Sequence, residues 1–263
     1  MRLAGAQSPD TAALFRLDGK RVLVVGGYGG IGRLTSELLA SAGATVVVAG
    51  RSPEKADEAA SEIGEGATGL GIDVADRGQA EEGVKAAAER LGGLDVLVNA
   101  AGIERHGPAE DVTPEVWEEV IDTNLSGAFW LSQAAGRVMI DGGEGGRIIH
   151  FSSTRGMVGG RRGFTPYGAS KAGVNLLVKQ LATEWGQHGI TVNGIAPGFV
   201  PTPMMEQAAG DAPFMQMMRN RIPLGRFSSP LEVASVAIFL AGPAASFVSG
   251  EIILVDGGVM ASS

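Results

Sequence analysis

Tyr167 and Lys171 are the residues whose types and spacing most clearly suggest chemistry. The chain has only two tyrosines, and Tyr167 stands four residues before Lys171 in the stretch FTPYGASKAGVNLL. Residues at this spacing share one face of a helix. A free phenol, with a pKa of about 10, is a poor base at neutral pH, but a nearby ammonium favours the phenolate. We therefore expect Lys171 to lower the pKa of Tyr167, which would exchange a proton with a substrate oxygen.

A glycine-rich turn supplies a second chemical signal near the start of the chain. The segment VLVVGGYGGIGRLTSELLA, residues 22–40, has the pattern of a strand, a turn and the start of a helix. Gly26, Gly30 and Gly32 form the pattern GxxxGxG, which lets a pyrophosphate approach the main chain closely. The helix N-terminus then offers free N–H groups and a positive dipole end. This context favours a dinucleotide site over a turn without a ligand.

The end of the second predicted strand bears on which dinucleotide is bound. It reads VAGRS and carries Gly50, Arg51 and Ser52, with no carboxylate to bind both ribose hydroxyls of NAD. Arg51 can instead pair with a 2′-phosphate through two hydrogen bonds. The sequence favours NADP(H), with NAD(H) as the alternative; Arg51 stacked on adenine or lying in solvent is the other interpretation.

Alternating strand and helix patterns must position these groups. The strand-like runs are mostly apolar rather than alternating, as in a parallel sheet covered on both faces. Strands are predicted at 21–26, 45–50, 95–100, 147–152, 191–196 and 251–256, with a weaker one at 67–73. Helices are predicted at 31–42, 53–63, 76–91, 114–139, 166–188 and 230–241. This order predicts an α/β fold with a Rossmann-type, doubly wound parallel sheet of about seven strands.

Composition narrows the classes of function. The formal net charge of −8 argues against nucleic-acid binding, and no apolar run is long enough to span a membrane. The chain has no cysteine, and its three histidines lack ligand spacing, so no metal site is expected. We predict a cytoplasmic protein with a flexible tail over 1–14 and one domain over 15–263.

Further motifs make the chain resemble the short-chain dehydrogenase/reductase family over about residues 15–258. They are NAAG (99–102), TNLSGAF (123–129), FSS (151–153), Tyr167-x-x-x-Lys171 and APGFVPT (196–202), in addition to the glycine loop. The resemblance implies a catalytic set of Asn124, Ser153, Tyr167 and Lys171. Ser153 would hold the substrate oxygen, with Ser152 as the competing candidate, and Asn124 would hold a water that connects Lys171 to solvent.

The resemblance also implies the residues that bind the cofactor. Tyr28 is expected near the phosphates, Asp73 and Val74 near the adenine, and the segment after Pro197 near the nicotinamide carboxamide. The full predicted set is Gly26, Tyr28, Gly29, Gly30, Ile31, Gly32, Arg51, Ser52, Asp73, Val74, Asn99, Ala100, Ala101, Gly102, Tyr167, Lys171, Pro197, Gly198, Val200 and Thr202.

The substrate side is less specific. Segment 203–228 holds five methionines and resembles a small substrate lid, or alternatively a helix pair packed on its own core. Arginines at 155, 161 and 162, together with Arg105 and His106, lie on loops near the predicted site. Predicted substrate contacts are Ser153, Arg155, His106 and Met204.

Several functions remain open at this point. The leading one interconverts a secondary alcohol and a ketone on a small molecule, with a sugar acid or polyol as substrate. The alternatives are a 3-oxoacyl-(acyl carrier protein) reductase, a catalytically silent dinucleotide-binding protein, and, more remotely, an enzyme acting on nucleotide sugars. The resemblance further implies a homotetramer.

Overall fold

The centre of the molecule is one parallel sheet. The computed structural model describes residues 10–64, 66–160, 163–201 and 212–262. The strands are β1 (Arg21–Val25), β2 (Thr45–Gly50), β3 (Thr68–Gly71), β4 (Val96–Asn99), β5 (Gly146–Phe151), β6 (Ile190–Pro197) and β7 (Ile252–Val255). Their order is β3-β2-β1-β4-β5-β6-β7, and each neighbouring pair is parallel. This confirms the predicted doubly wound α/β fold and all seven strands.

Helices cover both faces of the sheet. They are α1 (Gly30–Ser41), α2 (Pro53–Ile63), α3 (Arg77–Leu91), α4 (Pro114–Ile121), α5 (Gly127–Gly142), α6 (Thr165–Trp185), α7 (Ala212–Arg219) and α8 (Pro230–Ala241). Among the described residues, none of these helices is both long and apolar enough to cross a membrane.

The two faces of the sheet form two separate apolar cores. In β1, Leu23 and Val25 point into the core shared with α3, α5 and α6, while Val22 and Val24 point into the core shared with α1, α2 and α8. All four side chains are fully buried. The strands are apolar at successive positions because each face is covered by helices.

Three helices begin at the capping residues that the sequence predicts. Ser52, Thr113 and Ser229 each accept a hydrogen bond from a main-chain N–H of the first turn, and each is followed by proline at the first helical position. Ser229 also forms a reciprocal capping box with Glu232. These caps satisfy N–H groups that a helix start leaves without partners, which is why the boundaries were predictable.

The predicted helix 114–139 is interrupted. Between α4 and α5, residues Asp122–Ser126 form a π-helical segment in which the Gly127 N–H bonds to the Asp122 carbonyl, five residues back. This wider turn rotates the following helix and sets Asn124 facing the interior, where it is buried. The hydrophobic period alone does not distinguish such an insertion from continuous α-helix.

The structure describes only part of the predicted N-terminal tail and part of the predicted lid. Thr11–Phe15 forms a turn, and the Leu14 carbonyl accepts a hydrogen bond from the Ala244 N–H. In the predicted lid, residues 203–211 lie outside the described residues, and α7 follows them. Thr202, Met204, Arg161 and Arg162 also lie outside the described part of the chain.

Candidate active site

The sheet topology brings the predicted site residues to one edge. The chain winds from β1 to β3 on one side and then returns to place β4 on the other side of β1. Doubly wound sheets bind ligands where this reversal leaves a crevice at the carboxyl ends of the strands. The glycine loop follows β1, Asn99–Gly102 ends β4, Ser153 follows β5 and Gly198 follows β6.

Close packing fixes the conformation of the glycine loop. Gly26 has φ of 78°, and a Cβ there would lie 2.6 Å from the Ala101 nitrogen. A Cβ on Gly32 would lie 2.2 Å from the Gly26 carbonyl oxygen. The N-cap of α1, Gly29, has no side chain to cap the helix, and the first turn carries no acidic residue. The first-turn N–H groups therefore form a cradle that suits the phosphates of a dinucleotide.

Tyr28 extends from this loop to the end of β2. Its ring packs so closely on Gly50 that a Cβ there would lie 2.3 Å from the tyrosine Cε1. The Ser52 N–H donates to the Tyr28 hydroxyl at 3.4 Å. Arg51 beside them is exposed, and no described residue accepts a hydrogen bond from its guanidinium. The end of β2 therefore presents the hydroxyl of Tyr28, the guanidinium of Arg51 and the main-chain N–H of Ser52.

Asp73 and Asn99, which are predicted to contact the cofactor, also hold the loops after β3 and β4 in place. Asp73 Oδ1 accepts from the Ala75 N–H at 3.1 Å, and Val74 is buried. Asn99 Oδ1 accepts from the Ala101 N–H at 3.1 Å, which shapes the turn that carries Gly102. Each of these residues has a structural role at the edge where a cofactor would lie.

A buried polar chain beneath this turn was missed by the sequence analysis. Ser132 Oγ donates to the Ala128 carbonyl at 2.7 Å and lies 2.8 Å from His150 Nε2. The histidine therefore donates from Nε2, and its Nδ1 accepts from the Asn99 amide at 3.4 Å. Burial, with the charge of Lys171, lowers the pKa of His150 to about 3, so the ring is neutral. The signal in the sequence was a histidine inside the apolar run RIIHFS.

Tyr167 and Lys171 lie one turn apart on α6, as predicted. Lys171 is buried, its Nζ donates to the Phe151 carbonyl at 2.8 Å, and it lies 5.7 Å from the centre of the Tyr167 ring. Burial lowers the pKa of Lys171 to about 8. The ammonium is thus held at the end of β5 and is close to losing its proton at neutral pH.

The expected effect of Lys171 on the phenol is wrong for this structure. Burial raises the pKa of Tyr167 above its ordinary value, and the opposing influences are a hydrogen bond with Ser153 and the charge of Arg155. The Lys171 ammonium is directed to a main-chain carbonyl rather than to the phenol oxygen. Desolvation by the surrounding protein outweighs the charges near the phenol, so Tyr167 is protonated at neutral pH.

The structure distinguishes the two serines that follow β5. The Ser152 hydroxyl donates to Asn175 and contacts the Lys171 carbonyl, so it serves to hold α6. Ser153 Oγ accepts from the Arg155 N–H at 3.1 Å and also interacts with the Tyr167 phenol. Ser153 is therefore the serine beside the phenol, which is the assignment that the sequence favoured.

Asn124 lies beside Lys171 but is fully engaged with the protein. Its Oδ1 accepts from the Ile103 N–H at 2.8 Å, and its Nδ2 donates to the Ile103 carbonyl and to Ser170 Oγ. A Cβ on Gly102 would lie 3.3 Å from both Asn124 Oδ1 and Lys171 Nζ. These contacts support a structural role in the π-helical segment, and the water relay to Lys171 stays a prediction.

The substrate side carries an aromatic and charged cluster. The His106 ring packs edge-on against Phe164, with centroids 4.5 Å apart, and its Nε2 lies 3.4 Å from the Glu104 carboxylate. The Arg155 guanidinium stacks 4.6 Å from the centre of the same phenyl ring. Arg105 instead makes two hydrogen bonds to Glu119 and is not free to bind a ligand. Of the predicted substrate contacts, Ser153, Arg155 and His106 lie in the described structure.

A separate cavity of about 460 Å³ lies beyond the end of β7. Its lining includes the apolar side chains of Phe199, Ile222, Leu224 and Leu254 and the charged side chains of Arg226 and Glu232. None of the four predicted catalytic residues lines it. We therefore place the candidate reaction site at Ser153 and Tyr167 and not in this cavity.

Comparisons with known proteins identify relatives along nearly the whole chain. The family described as enoyl-(acyl carrier protein) reductase matches residues 26–260. Gluconate 5-dehydrogenase of Gluconobacter oxydans is 38% identical over 252 residues, which are 95% of this chain and 98% of the relative. A 3-oxoacyl-[acyl-carrier-protein] reductase of Thermotoga maritima is 41% identical over 249 residues, covering 93% and 99% of the two chains.

A solved structure is similar in fold as well as in sequence. It is that of a gluconate 5-dehydrogenase from Burkholderia cenocepacia in complex with NADP and tartrate. The two chains are 36% identical with a TM-score of 0.90, and the alignment covers 96% of this chain and 99% of the other.

Proposed function

Because this chain belongs to the short-chain dehydrogenase/reductase family, and so is an oxidoreductase of alcohol groups, we propose that it interconverts a secondary alcohol and a ketone on a sugar acid or polyol, with NADP(H) as cofactor. The observation that carries the proposal is the convergence of Ser153, Tyr167 and Lys171 at the carboxyl end of β5. The phosphate cradle of the glycine loop lies at the same edge of the sheet.

The residues present fit a bound NADP. The uncapped N-terminus of α1 and the tight approach at Gly26 would hold the diphosphate, and Arg51 with Tyr28 and Ser52 would bind a 2′-phosphate on the adenosine ribose. When bound, the nicotinamide accepts or supplies the hydride. The relative that was solved with NADP supports this choice of cofactor.

Protonation of the site residues suggests how the proton moves. A neutral Tyr167 Oη with a raised pKa suits donation of a proton to a ketone oxygen held by Ser153. In the reverse direction Tyr167 must first be deprotonated. Lys171, with its pKa of about 8, is the nearby group able to take up or return a proton in the neutral to alkaline range.

Reduction of a 3-oxoacyl group on acyl carrier protein is the second candidate. It is favoured by the 41% identity to a reductase of that kind. The two functions differ in substrate, and they share the chemistry at Tyr167. A panel containing sugar acids, polyols and short β-ketoesters therefore separates them.

The test uses the full chain with NADPH and NADH, followed by the absorbance of the reduced nicotinamide. We expect turnover of a sugar acid or polyol with a preference for NADPH. In Tyr167→Phe, kcat falls roughly 1000-fold while NADPH binding, measured by its fluorescence, stays within about twofold. Unchanged turnover in this variant would remove Tyr167 from the mechanism, and NADPH binding without turnover in the native protein would favour a silent binding protein.

The proposal includes a homotetramer in the cytoplasm. Exposed apolar side chains support association: Phe247 is fully exposed, Leu231 on α8 is half exposed, and Leu254 lies partly exposed on the edge strand β7. Exposed apolar side chains, including those on an edge strand, are typical of subunit contacts. A monomeric mass by light scattering would contradict the tetramer.

A further inference from the structure

Arg155 differs from the other arginines near the site. Its side chain is half-buried, and its guanidinium stacks on Phe164 at 4.6 Å. No described residue accepts a hydrogen bond from that guanidinium. A guanidinium has five N–H donors, and withdrawing them from water without acceptors is unfavourable. The stacking fixes the orientation of the group and leaves its donors available.

Several arginines elsewhere in the described chain are paired with carboxylates. Arg21, Arg33 and Arg137 each donate to at least one carboxylate, and so does Arg105 on the neighbouring loop. Among the described residues the absence of a carboxylate partner is shared by arginines such as Arg51, Arg77 and Arg221, but at Arg155 it occurs two residues after Ser153, beside the candidate reaction site. It is consistent with an acceptor that arrives with a ligand.

Arg221 is a second cation whose charge acts on Arg155. Burial lowers the pKa of Arg155, and the positive charge of Arg221 lowers it further. Arg221 comes from the turn after α7, where it lies 5.6 Å from the centre of the Phe199 ring and has no ion pair with any described residue. The two positive charges repel each other, and an anion bound at Arg155 would relieve that repulsion.

The position of Arg155 links this charge to the reaction site. Arg155 lies two residues after Ser153, and its charge acts on the Tyr167 phenol. Glu104 also acts on both Tyr167 and Arg155, and its carboxylate lies 3.4 Å from His106. The site therefore has a cationic side at Arg155 and Arg221 and a hydrogen-bonding side at Glu104 and His106.

We propose that Arg155 binds the carboxylate of a polyhydroxy acid whose alcohol or ketone oxygen lies at Ser153 and Tyr167. Glu104 and His106 then receive hydroxyl groups of the same substrate. This inference rests on the proposed function and narrows it, because a neutral polyol offers the Arg155 guanidinium hydroxyl acceptors but no anion. The planar guanidinium can bind a carboxylate through two parallel hydrogen bonds.

The experiment compares four- to six-carbon aldonates with the matched alditols, which carry CH₂OH in place of the carboxylate. Binding is measured by calorimetry in the presence of NADP⁺, and kinetics are measured on the same pairs. We expect at least one aldonate to bind more tightly than its alditol. In Arg155→Met its Kd and KM should rise roughly 10- to 100-fold, with little change for the alditol. Arg155→Lys keeps the charge and should recover part of the loss.

Arg77→Met is the matched control, because Arg77 also stacks on an aromatic ring, Trp130, at 4.9 Å and lacks a carboxylate partner among the described residues. This variant should bind the aldonate like the native protein. Equal aldonate affinity in native protein and Arg155→Met, or alditols bound as tightly as aldonates, would overturn the proposal. Absence of turnover with retained aldonate binding would count against the proposed function alone.

Discussion

The two ends of the sheet differ in whether a cation there is paired with a carboxylate. At the amino end, Arg21 donates three hydrogen bonds to Asp95, from its main-chain N–H, Nε and Nη2. At the carboxyl end, Lys171 is buried with no carboxylate partner in the described part of the chain, and its Nζ donates to the Phe151 carbonyl. Both cations lie at the end of a strand, but one is matched by an anion and the other is not.

The pKa values record the difference. The hydrogen bonds that Arg21 donates to the Asp95 carboxylate raise the pKa of Arg21. Burial acts to raise the pKa of Asp95, but the same bonds hold it below its usual range. At the other end, burial moves Lys171 and Tyr167 toward their neutral forms. The matched charges stabilise the fold. Of the two unmatched groups, Lys171 has its pKa moved to about 8, where a proton can be exchanged, and Tyr167 is kept protonated.

Lys171→Met should produce the largest effect. We expect kcat to fall roughly 1000-fold, because the variant lacks the group that we propose exchanges protons with the phenol. Stability should change in the other direction. Because burial lowers the pKa of Lys171, its charged form destabilises the native protein below about pH 8. This destabilisation disappears as the pH rises from about 8 to about 10.4, the pKa of lysine in the unfolded chain.

The variant is therefore expected to gain most over the native protein at pH 7 and least above pH 10. Urea midpoints at fixed protein concentration measure this gap across the pH range. A difference in urea midpoint that does not change with pH would show that burial does not destabilise the charged form of Lys171. That result would contradict the contrast between the two ends of the sheet.

Asp95→Asn should give the next largest effect, on stability instead of activity. We expect a loss of about 2 kcal/mol at pH 7, because Arg21 is left partly buried without a charged partner. Because the pKa of Asp95 is lowered in the folded protein, its ion pair with Arg21 contributes fully to stability above about pH 4. The contribution is lost as the pH falls through the pKa of Asp95 in the folded protein. Urea denaturation measures the loss.

Glu144→Gln is the matched control for Asp95→Asn. Glu144 contacts the same arginine but is largely exposed, so its loss should cost less than about 0.5 kcal/mol. Both variants should keep the native kcat. A reduced kcat in Asp95→Asn would show that the two ends of the sheet are coupled.

Thr191→Val should give the smallest effect, with a gain in stability. Thr191 lies at the amino end of β6, and its buried hydroxyl has no hydrogen-bond partner among the described residues. Replacing it with an apolar group of similar shape should add about 1 kcal/mol. Thr35→Val, which removes a buried hydroxyl that donates to the Ile31 carbonyl at 2.8 Å, should lose stability instead. Thermal unfolding distinguishes the two signs.

The sequence predicted most of what depends on local patterns. Apolar runs, prolines at helix starts and the glycine spacing are local, so the seven strands and the capped helices were found. The neutral His150, the π-helical segment at Asn124 and the raised pKa of Tyr167 were not. Each depends on what surrounds the residue in three dimensions: a polar partner on another element, a shift in helical register, and the loss of water around a phenol.

The substrate side shows the same limit. The sequence placed Arg105 and Arg155 together as candidates, since both are arginines on loops after strands. Only the fold shows that Arg105 is committed to Glu119, while Arg155 lies against Phe164 with its donors free.

The contact between Tyr28 and Gly50 makes these two positions interdependent during divergence. A methyl group at position 50 would overlap the tyrosine ring, so alanine there requires that the ring move or that position 28 carry a smaller residue. Efforts to redirect the enzyme from a phosphorylated to an unphosphorylated coenzyme should accordingly exchange both positions at once, because a change at either position alone disturbs the other.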